Sequence, residues 1–256
     1  MTSSQQSDIS NKLALITGCT GGIGSATALA LARHGCSIAV HYHSAQDSAN
    51  ELVSSIQSMG VRATAFQADL STYDGVRKLY AEVVGKMGHP NVLINNAGIL
   101  GKVIGPEGDI QDISIDLFEH TWRTNTGTGF LLTQLCLPNM LKEHFGRIVF
   151  TSSVAAGVGG VIGPHYASSK AALHGLLHWI SSRHAKDGIT CNGVAPAIII
   201  ETGMMQNPSE ELRKRIPVGR FGLPAEVASI IELLVTNGYM TNKIIVADGG
   251  WTATGF

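Results

Sequence analysis

Tyr166-Ala167-Ser168-Ser169-Lys170 sets a phenol and an ammonium four residues apart, which puts both on one face of a helix. An isolated phenol titrates near pH ~10, and a neighbouring cation favours its ionised form. Tyr166 beside Lys170 is therefore expected to exchange a proton at working pH. Tyr and Lys also fall at this spacing on ordinary surface helices, so the pair takes its meaning from its surroundings. Thirteen residues before Tyr166 stands Ser153, a hydroxyl at the end of the apolar run Arg147 to Thr151.

A second constellation precedes it. Thr17-Gly18-Cys19-Thr20-Gly21-Gly22-Ile23-Gly24 follows the apolar run that starts at Lys12 and opens a segment of helical periodicity, Ile23 to His34. Glycines there let backbone approach a pyrophosphate, and the helix N-terminus supplies free N–H groups. The competing reading is a tight turn with close helix packing. The spacing differs from G-x-G-x-x-G, and no G-x4-G-K-[ST] phosphate loop occurs. Asn95-Asn96-Ala97-Gly98 follows a fourth apolar run, and Asp69-Leu70 follows the third. Taken alone, Asp69 reads as a helix cap ahead of Ser71. His174 and His178, also four apart, have metal-ligand spacing but no third partner nearby in sequence. No metal is expected; a helix face, at a subunit contact, is the preferred reading.

The elements that must position these residues alternate. Strands are predicted at Lys12 to Thr17, Ser37 to Tyr42, Arg62 to Gln67, Val92 to Ile94, Arg147 to Thr151, Thr190 to Val194 and Lys243 to Val246. Helices are predicted at Ala45 to Met59, Tyr73 to Met87, near Ile113 to Leu141, Tyr166 to Lys186 and Pro224 to Thr236. Short, continuously apolar strands between helices imply an α/β fold: a doubly wound, Rossmann-type parallel sheet with helices on both faces. With 256 residues, no linker and no composition shift, one domain is expected over 12–256, behind a flexible tail at 1–11.

Composition narrows the function classes. With 44% hydrophobic and 14% charged residues and a formal net charge of −1, the chain has no electrostatic footprint for nucleic acid or an anionic membrane. No run reaches the ~18 apolar residues of a membrane helix, and the Ser- and Gln-rich start predicts neither a secretory signal nor a transit peptide. Cys19, Cys36, Cys136 and Cys191 form no Cys-x-x-Cys pair. A reducing compartment, the cytoplasm, is the expected location.

In order and spacing, Thr17 to Gly24, Asn95 to Gly98, Ser153, Tyr166 and Lys170 match TGxxxGxG, NNAG, a serine thirteen residues ahead of the tyrosine, and YxxxK. The chain thus resembles the classical short-chain dehydrogenase/reductase family along nearly its whole length from Lys12. The resemblance implies an NAD(P)(H)-dependent oxidoreductase in which Tyr166 donates or removes the proton. Lys170 would depress the tyrosine pKa and hold the nicotinamide ribose, and Ser153 would hydrogen-bond the substrate oxygen. Asn125 would support a water-linked proton relay, against the plainer reading of a polar residue in a helix kink.

For the cofactor the resemblance implies Gly18, Thr20, Gly21 and Ile23 at the pyrophosphate and Asp69 and Leu70 at the adenine. It implies Asn96, through its backbone, with Ala97 and Gly98 on the ribose side, and Pro196, Ile199 and Thr202 at the nicotinamide. Ala197 stands where the family has glycine, and Thr202 lies one residue later than usual. At the end of the second strand no acid is present to bind ribose hydroxyls: the position reads Tyr42, followed by His43 and Ser44. These two can bond a 2′-phosphate, so NADP(H) is favoured over NAD(H), although the usual arginine is missing.

Gly203 to Pro217, with Met204 and Met205, reads as a substrate lid or as packing against the core. Ile216 to Val227 and Ala247 to Gly250 resemble the 3-oxoacyl-acyl-carrier-protein reductase branch, which implies a ketone substrate such as a 3-oxoacyl thioester. The rivals are an NAD(P)-dependent secondary-alcohol or polyol dehydrogenase and a non-catalytic dinucleotide-binding regulator. Family precedent implies a homotetramer.

Overall fold

The computed structural model describes residues 7–205 and 208–253. Seven parallel strands form one sheet in the order β3-β2-β1-β4-β5-β6-β7. They are β1 (Leu13–Ile16), β2 (Ser37–Tyr42), β3 (Ala63–Gln67), β4 (Val92–Asn95), β5 (Gly146–Thr151), β6 (Ile189–Pro196) and β7 (Ile244–Ala247). Because β1 lies between β2 and β4, the chain runs outward in both directions from the β1–β4 pair, where Ile16 faces Ile94. At such a switch point the turns leaving the carboxyl ends part and open a crevice.

Helices cover both faces because successive strand side chains point to opposite sides. From β1, Ala14 and Ile16 enter a core shared with α1 (Gly22–Arg33), α2 (Gln46–Ser58) and α9 (Pro224–Thr236). Leu13 and Leu15 enter a second core with α3 (Tyr73–Met87), α5 (Thr128–Lys142) and α7 (Pro164–His184). The central strands are buried on both sides, which is why they read as unbroken apolar runs. The doubly wound architecture is as expected.

Three details differ from the sequence reading. The region expected as one helix near Ile113 to Leu141 is α4 (Ile115–Trp122) and α5, joined by a widened π turn at Arg123–Gly127. Two short helices, α6 (Ala155–Val158) and α8 (Glu210–Lys214), were not anticipated. The N-terminal segment is the third. Met1 to Gln6 lie outside the described residues, but Ser7 to Asn11 are not a loose tail. Ile9 is 1% exposed in the first core, the Ser7 amide donates to the Thr236 carbonyl at 2.6 Å, and Arg147 Nη2 donates to Ser7 Oγ at 2.9 Å. A single isoleucine in a polar stretch supplies the anchor.

Candidate active site

The turns after β1 to β6 converge on a cleft of about 820 Å³. Its wall contains each residue expected at the cofactor, together with Ser153, Tyr166 and Lys170. Asn125 lies just behind it.

In the cofactor half, Thr17 is the joint. Its buried hydroxyl donates to the Ile94 carbonyl (3.3 Å) and accepts from the amides of Asn96 (2.9 Å) and Ala97 (3.0 Å). Asn96 Nδ2 reaches back to the carbonyls of Thr17 and Gly18 at 3.0 and 3.2 Å. The Asn96 amide and side chain thereby brace the glycine turn from within the fold. Gly24 is required there: a Cβ on it would lie 2.4 Å from the Gly18 carbonyl oxygen. No side chain caps the start of α1. An uncapped helix end behind a turn of glycines fits a pyrophosphate.

The histidines of β2 divide by strand alternation. His41 and His43 point to the cleft, whereas Tyr42 packs against the first core. The residues after β2 that face the cleft are therefore His43 and Ser44, not Tyr42. His41 is 2% exposed. Its Nδ1 accepts the Gly18 N–H at 2.9 Å, so Nε2 carries the proton and donates to the Ala68 carbonyl at 3.1 Å. Burial pulls this imidazole down to about 4 and keeps it neutral. Asp69 does not cap α3; Thr72 does. The Asp69 carboxylate instead accepts the Ser71 amide at 2.9 Å, and this bond holds its pKa below the ordinary value.

In the catalytic half, Tyr166 and Lys170 occupy the first turns of α7, at 5% and 3% exposure. Ser153 Oγ accepts the Ala155 amide at 3.2 Å and lies close enough to the Tyr166 phenol to lower its pKa. Lys170 Nζ donates to the Thr151 carbonyl at 2.8 Å and sits 5.8 Å from the Tyr166 ring centroid. The expected lowering of the phenol by the ammonium is not what this arrangement yields. Burial raises Tyr166 above its ordinary value, and Ser153 pulls weakly the other way. Gly98 makes room for Lys170, since a Cβ there would stand 3.2 Å from Nζ.

Asn125 sits in the π turn. Its Oδ1 accepts the Ile99 amide at 2.8 Å, and its Nδ2 donates to the Ile99 carbonyl and to Ser169 Oγ, both at 3.0 Å. It fixes the loop that leaves β4 behind Lys170. His174 Nε2 lies 2.7 Å from Ser152 Oγ, and His178 Nδ1 lies 2.5 Å from Asn242 Oδ1. The two imidazoles thus engage different partners. Among the described residues, no group of three or more His, Cys, Asp or Glu gathers to hold a metal.

At the substrate end, Pro196 and Ile199 line the cleft, and the Ala197 amide donates to the Ala247 carbonyl at 3.0 Å. Thr202 also lines it, and its hydroxyl donates to the Ile199 carbonyl at 2.9 Å within its own loop. Leu100, Val103, Val161, Ile162, Met204 and Met205 form the outer wall. Val103 and Val161 were not picked out in the sequence, because they become neighbours only when the Ile104 and Gly105 amides bond the carbonyls of Ile162 and Val161. Gln206 and Asn207, within the expected lid, lie outside the described residues.

Known proteins agree with this geometry. The sequence profile of the short chain dehydrogenase family matches residues 12–213. The L-rhamnose 1-dehydrogenase (NADP(+)) of Thermoplasma acidophilum is 35% identical, over 95% of this chain and 97% of its own. The 3-oxoacyl-[acyl-carrier-protein] reductase FabG of Staphylococcus aureus is 33% identical, over 93% and 97%. The crystal structure of the angucycline C-6 ketoreductase LanV with bound NADP superposes with a TM-score of 0.86 at 28% identity, over 96% and 98%. The chain belongs to the short-chain dehydrogenase/reductase family and is an NAD(P)-dependent oxidoreductase acting on keto or alcohol groups.

Burial of Lys170 generates a stability prediction. Its ammonium is pulled from 10.5 down to about 8. Between these values the unfolded chain holds a proton that the folded chain has lost, so this group stabilises the fold increasingly as pH rises through the window. Relative to Lys170→Met, the wild type should gain roughly 3 kcal/mol from below pH ~8 to above pH ~10 in chemical denaturation. A difference independent of pH would contradict the burial effect.

Proposed function

We propose that this protein is an NADPH-dependent carbonyl reductase that reduces a small β-keto substrate, a 3-oxoacyl thioester or a close relative. The carrying observation is a buried phenol beside Ser153 and the Lys170 ammonium, in the wall of a cleft with an apolar mouth. When bound, the nicotinamide supplies the hydride. Ser153 and Tyr166 direct two hydroxyls at the same point, where a ketone oxygen is oriented and receives its proton. A phenol raised by burial stays protonated at neutral pH and can give that proton to the oxygen. Lys170 supplies the positive field and, through the Thr151 carbonyl, is itself held in place.

The cofactor reading rests on His43 and Ser44. Asp69 is the one carboxylate among the described residues lining the cleft, and it lies after β3 rather than after β2. Nothing acidic therefore opposes a 2′-phosphate at the second turn. The NADP named for the rhamnose dehydrogenase and for the LanV structure supports the same choice.

The substrate reading rests on the outer wall. Leu100, Val103, Val161, Ile162, Met204 and Met205 offer apolar surface to a chain or ring next to the ketone. Sugar hydroxyls pressed against them would lose water without gaining partners. A polyol or secondary-alcohol dehydrogenase is the second reading, favoured by the 35% identity to the rhamnose enzyme. Intact Ser153, Tyr166 and Lys170 weigh against a non-catalytic regulator.

A homotetramer packed through α4, α5 and α7 is part of the proposal. A groove lined by Phe118, Trp122, Phe130 and Leu176 supports it, with Phe130 52% exposed. The cytoplasm is the proposed location; four free cysteines support a reducing compartment.

Three measurements test the proposal. Tyr166→Phe keeps the ring and loses the proton, so kcat should fall at least about 100-fold with NADPH affinity retained; near-wild-type turnover would refute the mechanism. The kcat/KM with NADPH should exceed that with NADH, and His43→Asp should move the ratio toward NADH by about tenfold or more. Equal use of both cofactors by the wild type would overturn the cofactor reading. Finally, acetoacetyl thioesters and cyclic apolar ketones should be reduced with higher kcat/KM than any sugar is oxidised, and a preference for L-rhamnose or another polyol would install the second reading.

A further inference from the structure

We propose that His41 is a positioning residue for the dinucleotide: its neutral imidazole locks the pyrophosphate turn after β1 to the adenine corner after β3. The proposal rests on reading this cleft as the cofactor site. His41 lies near the carboxyl end of β2, and β2 pairs with β1 on one side and β3 on the other. A side chain there stands between the two turns and can reach both.

Both ring nitrogens and the carbonyl of the residue are used. Nδ1 accepts the Gly18 N–H at 2.9 Å, Nε2 donates to the Ala68 carbonyl at 3.1 Å, and the His41 carbonyl accepts the Cys19 N–H at 2.8 Å. Gly18 lies beyond the last residue of β1, so its N–H is outside the sheet ladder and takes its acceptor from His41. Ala68 is 2% exposed and immediately precedes Asp69-Leu70. Without the imidazole, a donor in one cofactor turn and an acceptor in another lose their partner in a buried place.

The demand on the side chain is specific. The δ position must accept and the ε position must donate, across a rigid ring. Asparagine keeps the δ acceptor for Gly18. Glutamine reaches toward Ala68 but leaves the Gly18 N–H orphaned, although its size is closer to that of histidine. Phenylalanine fills the space and makes neither bond. Positioning through Gly18 therefore ranks Asn above Gln above Phe, whereas a role in packing alone ranks Gln above Asn.

The test is the dissociation constant of NADPH and of NADH, by nucleotide fluorescence on the full-length protein, for wild type and His41→Asn, His41→Gln and His41→Phe. Melting temperatures and kcat at saturating cofactor accompany it. Expected for His41→Phe is a rise of about tenfold or more in both constants, with kcat within about threefold of wild type. His41→Asn should recover most of the affinity and His41→Gln less. If His41→Phe does not fold, the order of Asn and Gln alone decides. Wild-type affinity in His41→Phe, Gln binding as well as or better than Asn, or loss of kcat at unchanged affinity would each overturn the proposal. Failure of the wild type to bind either dinucleotide would refute the underlying reading of the cleft instead.

Discussion

A parallel sheet that reverses its winding must satisfy the backbone groups exposed where the chain parts company with itself, and everything catalytic in this protein depends on how that is done. Past the last β1–β4 backbone bond, from the Thr17 amide to the Ile94 carbonyl, the ladder stops. Thr17 takes up the Ile94 carbonyl and the amides of Asn96 and Ala97, while Asn96 returns two bonds to Thr17 and Gly18. The seam is thereby sealed with side chains of fixed length. The crevice beyond it can then stay open without orphaned backbone.

The chemistry follows from placing charge where water is scarce. Lys170 is buried against a backbone carbonyl with no carboxylate partner in its bonds, so its ammonium is costly and its proton loosely held. Tyr166, buried one turn earlier, holds its own proton tightly. A good donor and a strained cation on one helix face form an electrostatic gradient along α7. Ser153 spans the gap from β5, which ties this gradient to the sheet rather than to the helix alone.

Much of this was legible in the chain. Apolar runs placed the strands to within a residue or two, because strands buried on both faces leave little ambiguity. The spacing of Ser153, Tyr166 and Lys170 named residues that the fold brings to one wall. What escaped was whatever depends on partners distant in sequence. His41 looks like a polar residue on a strand until Gly18 and Ala68 close around it. The π turn at Arg123–Gly127 arises because Asn125 bonds both the amide and the carbonyl of Ile99, a pull from another loop that helical periodicity does not register. Ile9 is one apolar residue among serines, too slight a signal to announce an anchor.

The two cores differ in when they can exist. The face built on α3, α5 and α7 draws on consecutive stretches of the chain. The opposite face needs α1 to meet α9, Ser7 to bond Thr236 and His34 to reach Glu232 at 2.5 Å, all joining segments about two hundred residues apart. On a ribosome that core stays unfinished until α9 has emerged, leaving the apolar side of α1 uncovered in the meantime. A truncated chain would therefore lose more than its final helix: it would leave the glycine turn mounted on a helix with nothing behind it.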